Sequence, residues 1–213
     1  MRESIKVISL DLDGVLFDGP SAALPLAQHL GLGEKFMAVY AKVAKEGKSF
    51  EESIAEGCKI WRGVATDGIY NSLIYELPLR LGAKETVDIL RERGYIVGCI
   101  SSGVSQFFME PFSQRLDLDF SYSNILGEEN GAHNGEVEFI MGGKQKAETA
   151  LKLLSDNGFE GKHLASIGDG SNDIDLFKSS GFSIAFNPQS EAVSKAACVT
   201  VHSKDLRAVL EYF

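Results

Sequence analysis

Ile5-Lys6-Val7-Ile8-Ser9-Leu10-Asp11-Leu12-Asp13-Gly14-Val15-Leu16 begins as a mostly apolar run and stops at a pair of aspartates. A run of this length ending on an acid is the pattern of a strand covered on both faces in a parallel sheet. Residues i and i+2 of a strand share a face, so the Asp11 and Asp13 carboxylates can enter one crevice. Aspartate also ends strands and opens turns with no chemistry attached. That explains one acid, but not two flanking Leu12 on an otherwise apolar strand. Ligands of open parallel sheets bind beyond the carboxyl ends of the strands. Two close carboxylates repel unless a shared proton or a cation intervenes. A hard divalent ion takes oxygen ligands, and Mg²⁺ suits a phosphate substrate.

Outward from this strand the pattern becomes helical. Apolar residues recur at helical spacing over 25–47 and again over 49–61, with breaks at Gly31, Gly33, Gly47 and Gly63. Ser49 and Glu52 have capping-box spacing and predict a helix start there. After Pro78 helices and strands alternate. The spacing predicts helices over 82–93, 104–116, 144–158, 173–181 and 204–213, and strands over 95–101, 163–168, 182–186 and 198–201. A β-hairpin is expected around Gly131 and Gly135. Such alternation implies an α/β fold with a doubly wound parallel sheet. The helical stretch interrupts it directly after the first strand. The expected organisation is a core of residues 1–16 and 77–213, with an inserted helical cap over 17–76.

Three further stretches share the character of the first. Ile167-Gly168-Asp169-Gly170-Ser171-Asn172-Asp173 follows an apolar strand and sets two more carboxylates among glycines. Alone it would read as a turn capping the next helix; beside Asp11 and Asp13 it supplies oxygen ligands for the same ion. Ser101-Ser102-Gly103 follows the strand YIVGCI, where a hydroxyl and free amides at a strand-to-helix turn can hold a phosphoryl oxygen. Simple capping of the next helix is the plain alternative. Near residue 145 a helix starts with Lys144 and Lys146; either alone would be a solvated surface lysine, but a crowd of carboxylates that binds an anion needs a local cation.

DLDGV, SSG, a lysine and GDGSND, in this order and at these separations, resemble the haloacid dehalogenase superfamily of phosphotransferases. The insertion after the first motif is similar to its members with a helical cap, and EGKSFEES, RERGYIVGCISSG and GDGSNDIDLFKSSGFSIAFN extend the likeness toward the phosphoserine phosphatases. The resemblance implies a Mg²⁺-dependent phosphomonoesterase of a small phosphorylated metabolite. Asp11 would be the nucleophile that becomes an aspartyl-phosphate. Asp13 would act as general acid and then base, its carbonyl on the metal. Asp11, Asp13, Asp169 and Asp173 would hold Mg²⁺; Ser101, Ser102, Gly103, Lys146 and Asn172 would bind phosphate, with spacing from Asp169 favouring Lys146 over Lys144. The resemblance also implies a cap arginine and a glutamate for the serine moiety. Gly57 and Pro20 stand at those places, and Asp18, Lys59 and Arg62 are the nearby substitutes.

A phosphomutase or phosphotransferase would use the same aspartyl-phosphate. A receiver-like signalling module also clusters carboxylates, a hydroxyl and a lysine, but it places its phosphoacceptor on a later strand, where SSG stands here, and carries no helical insertion.

Composition narrows the partners. Thirty acids against 21 Lys and Arg give a net charge of −9, which leaves no basic excess for nucleic acid. No apolar run has the length to span a bilayer. The opening residues predict neither a signal nor a transit peptide, so a cytoplasmic location is expected. Cys58, Cys99 and Cys198 form no CxxC pair and read as small hydrophobes, not zinc ligands. His29, His133, His163 and His202 show no ligand spacing, and Trp61, Phe107 and Phe108 read as packing residues.

Overall fold

The computed structural model describes residues 4–213. Its centre is a seven-stranded sheet in the order β4-β3-β2-β1-β5-β6-β7. The strands are β1 (Val7–Leu10), β2 (Ile96–Ser105), β3 (Phe120–Glu129), β4 (Ala132–Phe139), β5 (Leu164–Gly168), β6 (Phe182–Phe186) and β7 (Val199–Val201). All pairs are parallel except the β3–β4 hairpin at one edge. That hairpin turns at Asn130 and Gly131, both at positive φ, as tight hairpin turns require.

β1 is buried along its whole length because it lies between β2 and β5 with helices over both faces. Between β1 and β2 come α1 (Ala23–His29), α2 (Gly33–Glu46), α3 (Phe50–Cys58), α4 (Asn71–Tyr75) and α5 (Ala83–Glu92). The first four make the helical insertion; α5 packs on the sheet through Ala83, Val87 and Leu90. α3 starts as its sequence predicts. The Ser49 hydroxyl accepts from the Glu52 N–H, and the Glu52 carboxylate accepts from the Ser49 N–H. The remaining helices are α6 (Gln106–Leu116), α7 (Gly143–Asp156), α8 (Ile174–Ser179) and α9 (Glu191–Ala196).

Three local expectations are corrected. β2 continues to Ser105, four residues beyond its expected end, and α6 begins only at Gln106. Ser101–Gly103 therefore lie in extended chain where the β2–β3 register shifts, between Ile100 and Ser105, not in a strand-to-helix turn. Periodicity hides this because serines and glycine interrupt the apolar run without ending the strand. The C-terminal segment is a 3₁₀ helix over Leu206–Tyr212 rather than an α-helix. α9, capped by the Ser190 hydroxyl accepting from the Val193 N–H, is too short for its period to register in the sequence.

Candidate active site

Register brings the motif strands to one end. Leu10 is level with Cys99 of β2 on one side and with Ile167 of β5 on the other. Asp11 and Asp169 therefore follow their strands at the same carboxyl-terminal edge, level with Ser101 inside the extended β2, where open sheets bind ligands.

Lys146, on the first turn of α7, is fully buried and reaches this edge from the side. Its Nζ lies 2.9 Å from Asp11 Oδ1 and 2.8 Å from Asp173 Oδ1. Lys144, two residues away, points to solvent and pairs with Glu148 at 3.4 Å. Oxygens of Asp11, Asp169 and Asp173 lie within 4.8 Å of one another. Asp173 is held from behind: its Oδ2 accepts from the Asp169 N–H at 3.1 Å and the Gly170 N–H at 3.0 Å. The second Asp169 oxygen accepts from Gln189 Nε2 at 3.0 Å. Gln189 went unmarked in the sequence; its signal is only its place in Asn187-Pro188-Gln189 just past β6, at the same sheet edge.

Asp13 stands apart from this trio. Its Oδ1 accepts from the Ala22 N–H at 2.6 Å, which turns the carboxylate toward the helical insertion. Its other oxygen occupies the space where a side chain at residue 103 would lie, so any larger residue there must displace the Asp13 carboxylate. Gly14 is constrained twice: its φ is +75°, and a Cβ would collide with the Asp169 carboxylate. Arg80 fixes this turn. It donates from Nε to the Val15 carbonyl at 3.0 Å and from Nη2 to the Gly14 carbonyl at 2.8 Å, and it pairs with Asp18 at 2.8 Å.

The Ser101 hydroxyl is buried and accepts from the Gly103 N–H at 3.1 Å, which leaves its own hydrogen to donate. Ser102 is also buried, and its Oγ has no hydrogen-bond partner among the described residues. Asn124 of β3 holds the strand open here by donating to the carbonyls of Ser102 and Val104. Asn172 is half-buried on the loop, its amide oxygen over Gly170 and its backbone against Gly143 at the start of α7.

Four acids around one ammonium leave excess negative charge, and the carboxyls respond. Burial and then the Asp173 charge push Asp11 well above the usual carboxylate range, against the pull of Lys146. Burial raises Asp13 to about 7, although its hydrogen bond from Ala22 opposes this. Burial also raises Asp169 to about 6. Burial works to lower the Lys146 pKa, but Asp11 and Asp173 outweigh it and keep the ammonium charged. A buried set of carboxylate oxygens with this imbalance suits a hard divalent cation.

Beside the acids lies a cavity of about 300 Å³ between the insertion and the sheet edge, with Gly103, Val104 and Ser105 in its wall. Gly57 lines it, and a Cβ there would meet nothing within 4 Å. Pro20 is exposed and lies outside the lining. Asp18, Lys59 and Arg62 are outside it too; Asp18 is paired with Arg80, and Lys59 with Glu56 at 3.0 Å.

Residues 122–213 match the family model of haloacid dehalogenase-like hydrolases. The chain is 28% identical to the phosphoserine phosphatase of Methanocaldococcus jannaschii over 100% of this chain and 99% of that one. It is 27% identical to the phosphoserine phosphatase of Archaeoglobus fulgidus over 85% of this chain, and there it spans about half of the relative, 52%. A solved structure described as a phospho-aspartyl intermediate analogue of phosphoserine phosphatase superposes with a TM-score of 0.82 at 26% identity, over 98% of this chain and 99% of that one.

Proposed function

Because the chain belongs to the haloacid dehalogenase-like hydrolases and is a phosphatase of that family, we propose that it hydrolyses a small phosphate monoester through an aspartyl-phosphate on Asp11, with Mg²⁺ as cofactor. The observation that carries this reading is the placement of Lys146 between Asp11 and Asp173 with Asp169 alongside.

Asp11 is the nucleophile. Lys146 keeps one of its oxygens paired, and a second contact, the Leu12 N–H on the same oxygen at 2.8 Å, fixes the rotamer. That leaves the other oxygen to attack phosphorus. Asp13 carries the proton. Its raised pKa lets it hold a proton near neutral pH, give it to the departing alkoxide, and then take one from the attacking water. Its bond from Ala22 keeps its carboxylate on the insertion side, where a leaving group would stand. Ser101 donates to a phosphoryl oxygen, with Ser102, Gly103 and Asn172 as the further phosphate contacts, and Lys146 neutralises charge as it develops. The metal ligands are Asp11, the Asp13 carbonyl, Asp169 and Asp173; Gln189 orients Asp169 from outside. When bound, Mg²⁺ supplies positive charge for the phosphoryl oxygens and for Asp11. We take residues 1–16 and 77–213 as the catalytic core and 17–76 as a cap that covers the site during reaction.

The test is hydrolysis of p-nitrophenyl phosphate by wild type and Asp11→Asn, with Mg²⁺ and with chelator. Activity that needs Mg²⁺ and disappears in the variant is expected. Full activity in Asp11→Asn overturns the mechanism.

A further inference from the structure

The cavity beside Asp13 is the space left for the alcohol part of the ester, and its chemistry is one-sided. Gly103 joins the two: it stands in the cavity wall, and the absence of a side chain there makes room for an oxygen of Asp13. Phe36, Ile54, Trp61, Val104, Phe107 and Phe108 supply apolar walls. Among the described residues no lysine, arginine, aspartate or glutamate lines it. Its buried polar atoms are neutral. Thr66 and His133 belong to the lining, and Thr66 Oγ1 and His133 Nδ1 have no hydrogen-bond partner among the described residues; His133 is only 6% exposed. The His133 ring meets Phe107 edge-on at 4.8 Å between centroids, and burial lowers its pKa, so it stays uncharged.

An amino-acid ester brings a carboxylate and an ammonium into such a space. The carboxylate loses its hydration and finds no cation in the lining. A carboxylate in a dry site calls for a guanidinium or an ammonium, and the nearby candidates Lys59 and Arg62 lie outside the cavity. An uncharged apolar group instead gains from leaving water, and unpartnered Thr66 and His133 can receive one neutral polar group on it. The volume falls at the lower end of small-ligand pockets, roughly 300–1,000 Å³.

We infer that the preferred substrate is a phosphate monoester of an uncharged, mainly apolar alcohol, seated with its carbon portion in this cavity, and not a phosphorylated amino acid. This rests on the phosphatase reading above and names the substrate class of that same site.

Steady-state kinetics with Mg²⁺ on hexyl phosphate and O-phosphoserine, with p-nitrophenyl phosphate as control, test it. We expect kcat/KM for hexyl phosphate to exceed that for phosphoserine by about tenfold or more, with the difference in KM. Ile54→Arg places a cation in the wall. It should raise KM for hexyl phosphate and lower it for phosphoserine. Competition in the wild type serves if that variant does not fold: hexanol should inhibit p-nitrophenyl phosphate hydrolysis more strongly than L-serine. Phosphoserine used as well as or better than hexyl phosphate, or L-serine inhibiting more than hexanol, overturns the inference and leaves a phosphatase. Hydrolysis of none of the three esters overturns the phosphatase reading itself.

Discussion

The Lys146 ammonium sits 2.9 Å from Asp11 Oδ1 with none of its side chain exposed. Its other partner, Asp173, is equally buried, so one cation balances two carboxylates in a place water does not reach. Removing one member of such a group leaves uncompensated buried charge, at a cost of about 3–5 kcal/mol. Lys146→Met should therefore lower stability by about that amount and kcat by about 100-fold or more. Lys144→Met, which breaks only an exposed pair, should stay within about 0.5 kcal/mol and keep its activity. Thermal melts and kcat on p-nitrophenyl phosphate check both; equal effects from the two substitutions would remove Lys146 from the site.

Gly103 and Asp13 share one space, and a methyl group at 103 must displace the Asp13 carboxylate. Gly103→Ala should cut kcat by about 100-fold, since Asp13, the proposed proton carrier, loses its position. The atoms proposed to hold Mg²⁺, the Asp11, Asp169 and Asp173 carboxylates and the Asp13 backbone carbonyl, are not the Asp13 side-chain oxygen in that space, so stabilisation by Mg²⁺ should persist. Calorimetry with and without Mg²⁺ alongside kcat separates the two. Loss of the Mg²⁺ effect in this variant would mean that the Asp13 side chain also helps to hold the ion.

The acids at the strand ends set a pH dependence whose sign follows from their shifts. Asp13 is raised to about 7 and Asp169 to about 6, mainly by burial. Their folded forms hold protons that the unfolded chain releases near pH 4. Between those values the folded state binds more protons, so metal-free stability from these groups falls as pH rises. A divalent ion held by Asp169 would favour its ionised form and reverse that part of the loss. The melting-temperature difference between Mg²⁺ and chelator should thus widen from about pH 5 to about pH 8. A difference that is flat, or shrinks, counts against Asp169 as the group concerned. Asp169→Asn should flatten it.

Much of this arrangement was legible because each motif follows a buried apolar strand. Once the strands are parallel, their ends collect at one edge, and Asp11 and Asp169 must meet there whatever the loops do. The helical insertion was legible from its period and from the Ser49–Glu52 cap. What stayed hidden depends on tertiary contacts with no periodic signature. Gln189 orients Asp169 across 20 residues of sequence. Asn124 acts on Ser102 and Val104 from a neighbouring strand. His133 reads as one of four scattered histidines until the hairpin brings it against Phe107 in the cavity wall. The extension of β2 to Ser105 escaped because the Asn124 side chain on the Ser102 and Val104 carbonyls and the pairing of Ser105 with Asn124, not local propensity, hold that stretch.

The three thiols differ in environment more than in sequence context. Cys99 is fully buried on β2, and burial raises its pKa well above the ordinary thiol value. Cys58 is 3% exposed, donates to the Glu136 carbonyl at 3.0 Å, and is pushed up to about 11, chiefly by burial. Cys198 is exposed. Since the thiolate is the reactive form, iodoacetamide on the native protein at about pH 8 should label Cys198 first. Cys58 and Cys99 should react only on unfolding. Intact-mass and peptide mass spectrometry read the stoichiometry and the sites. Cys58 stands in the cavity wall as well. Hexanol added at a concentration that inhibits should therefore slow any residual Cys58 labelling and leave Cys198 unaffected. Rapid Cys58 labelling in the native state, indifferent to hexanol, would contradict the burial of the Cys58 thiol against the Glu136 carbonyl of β4.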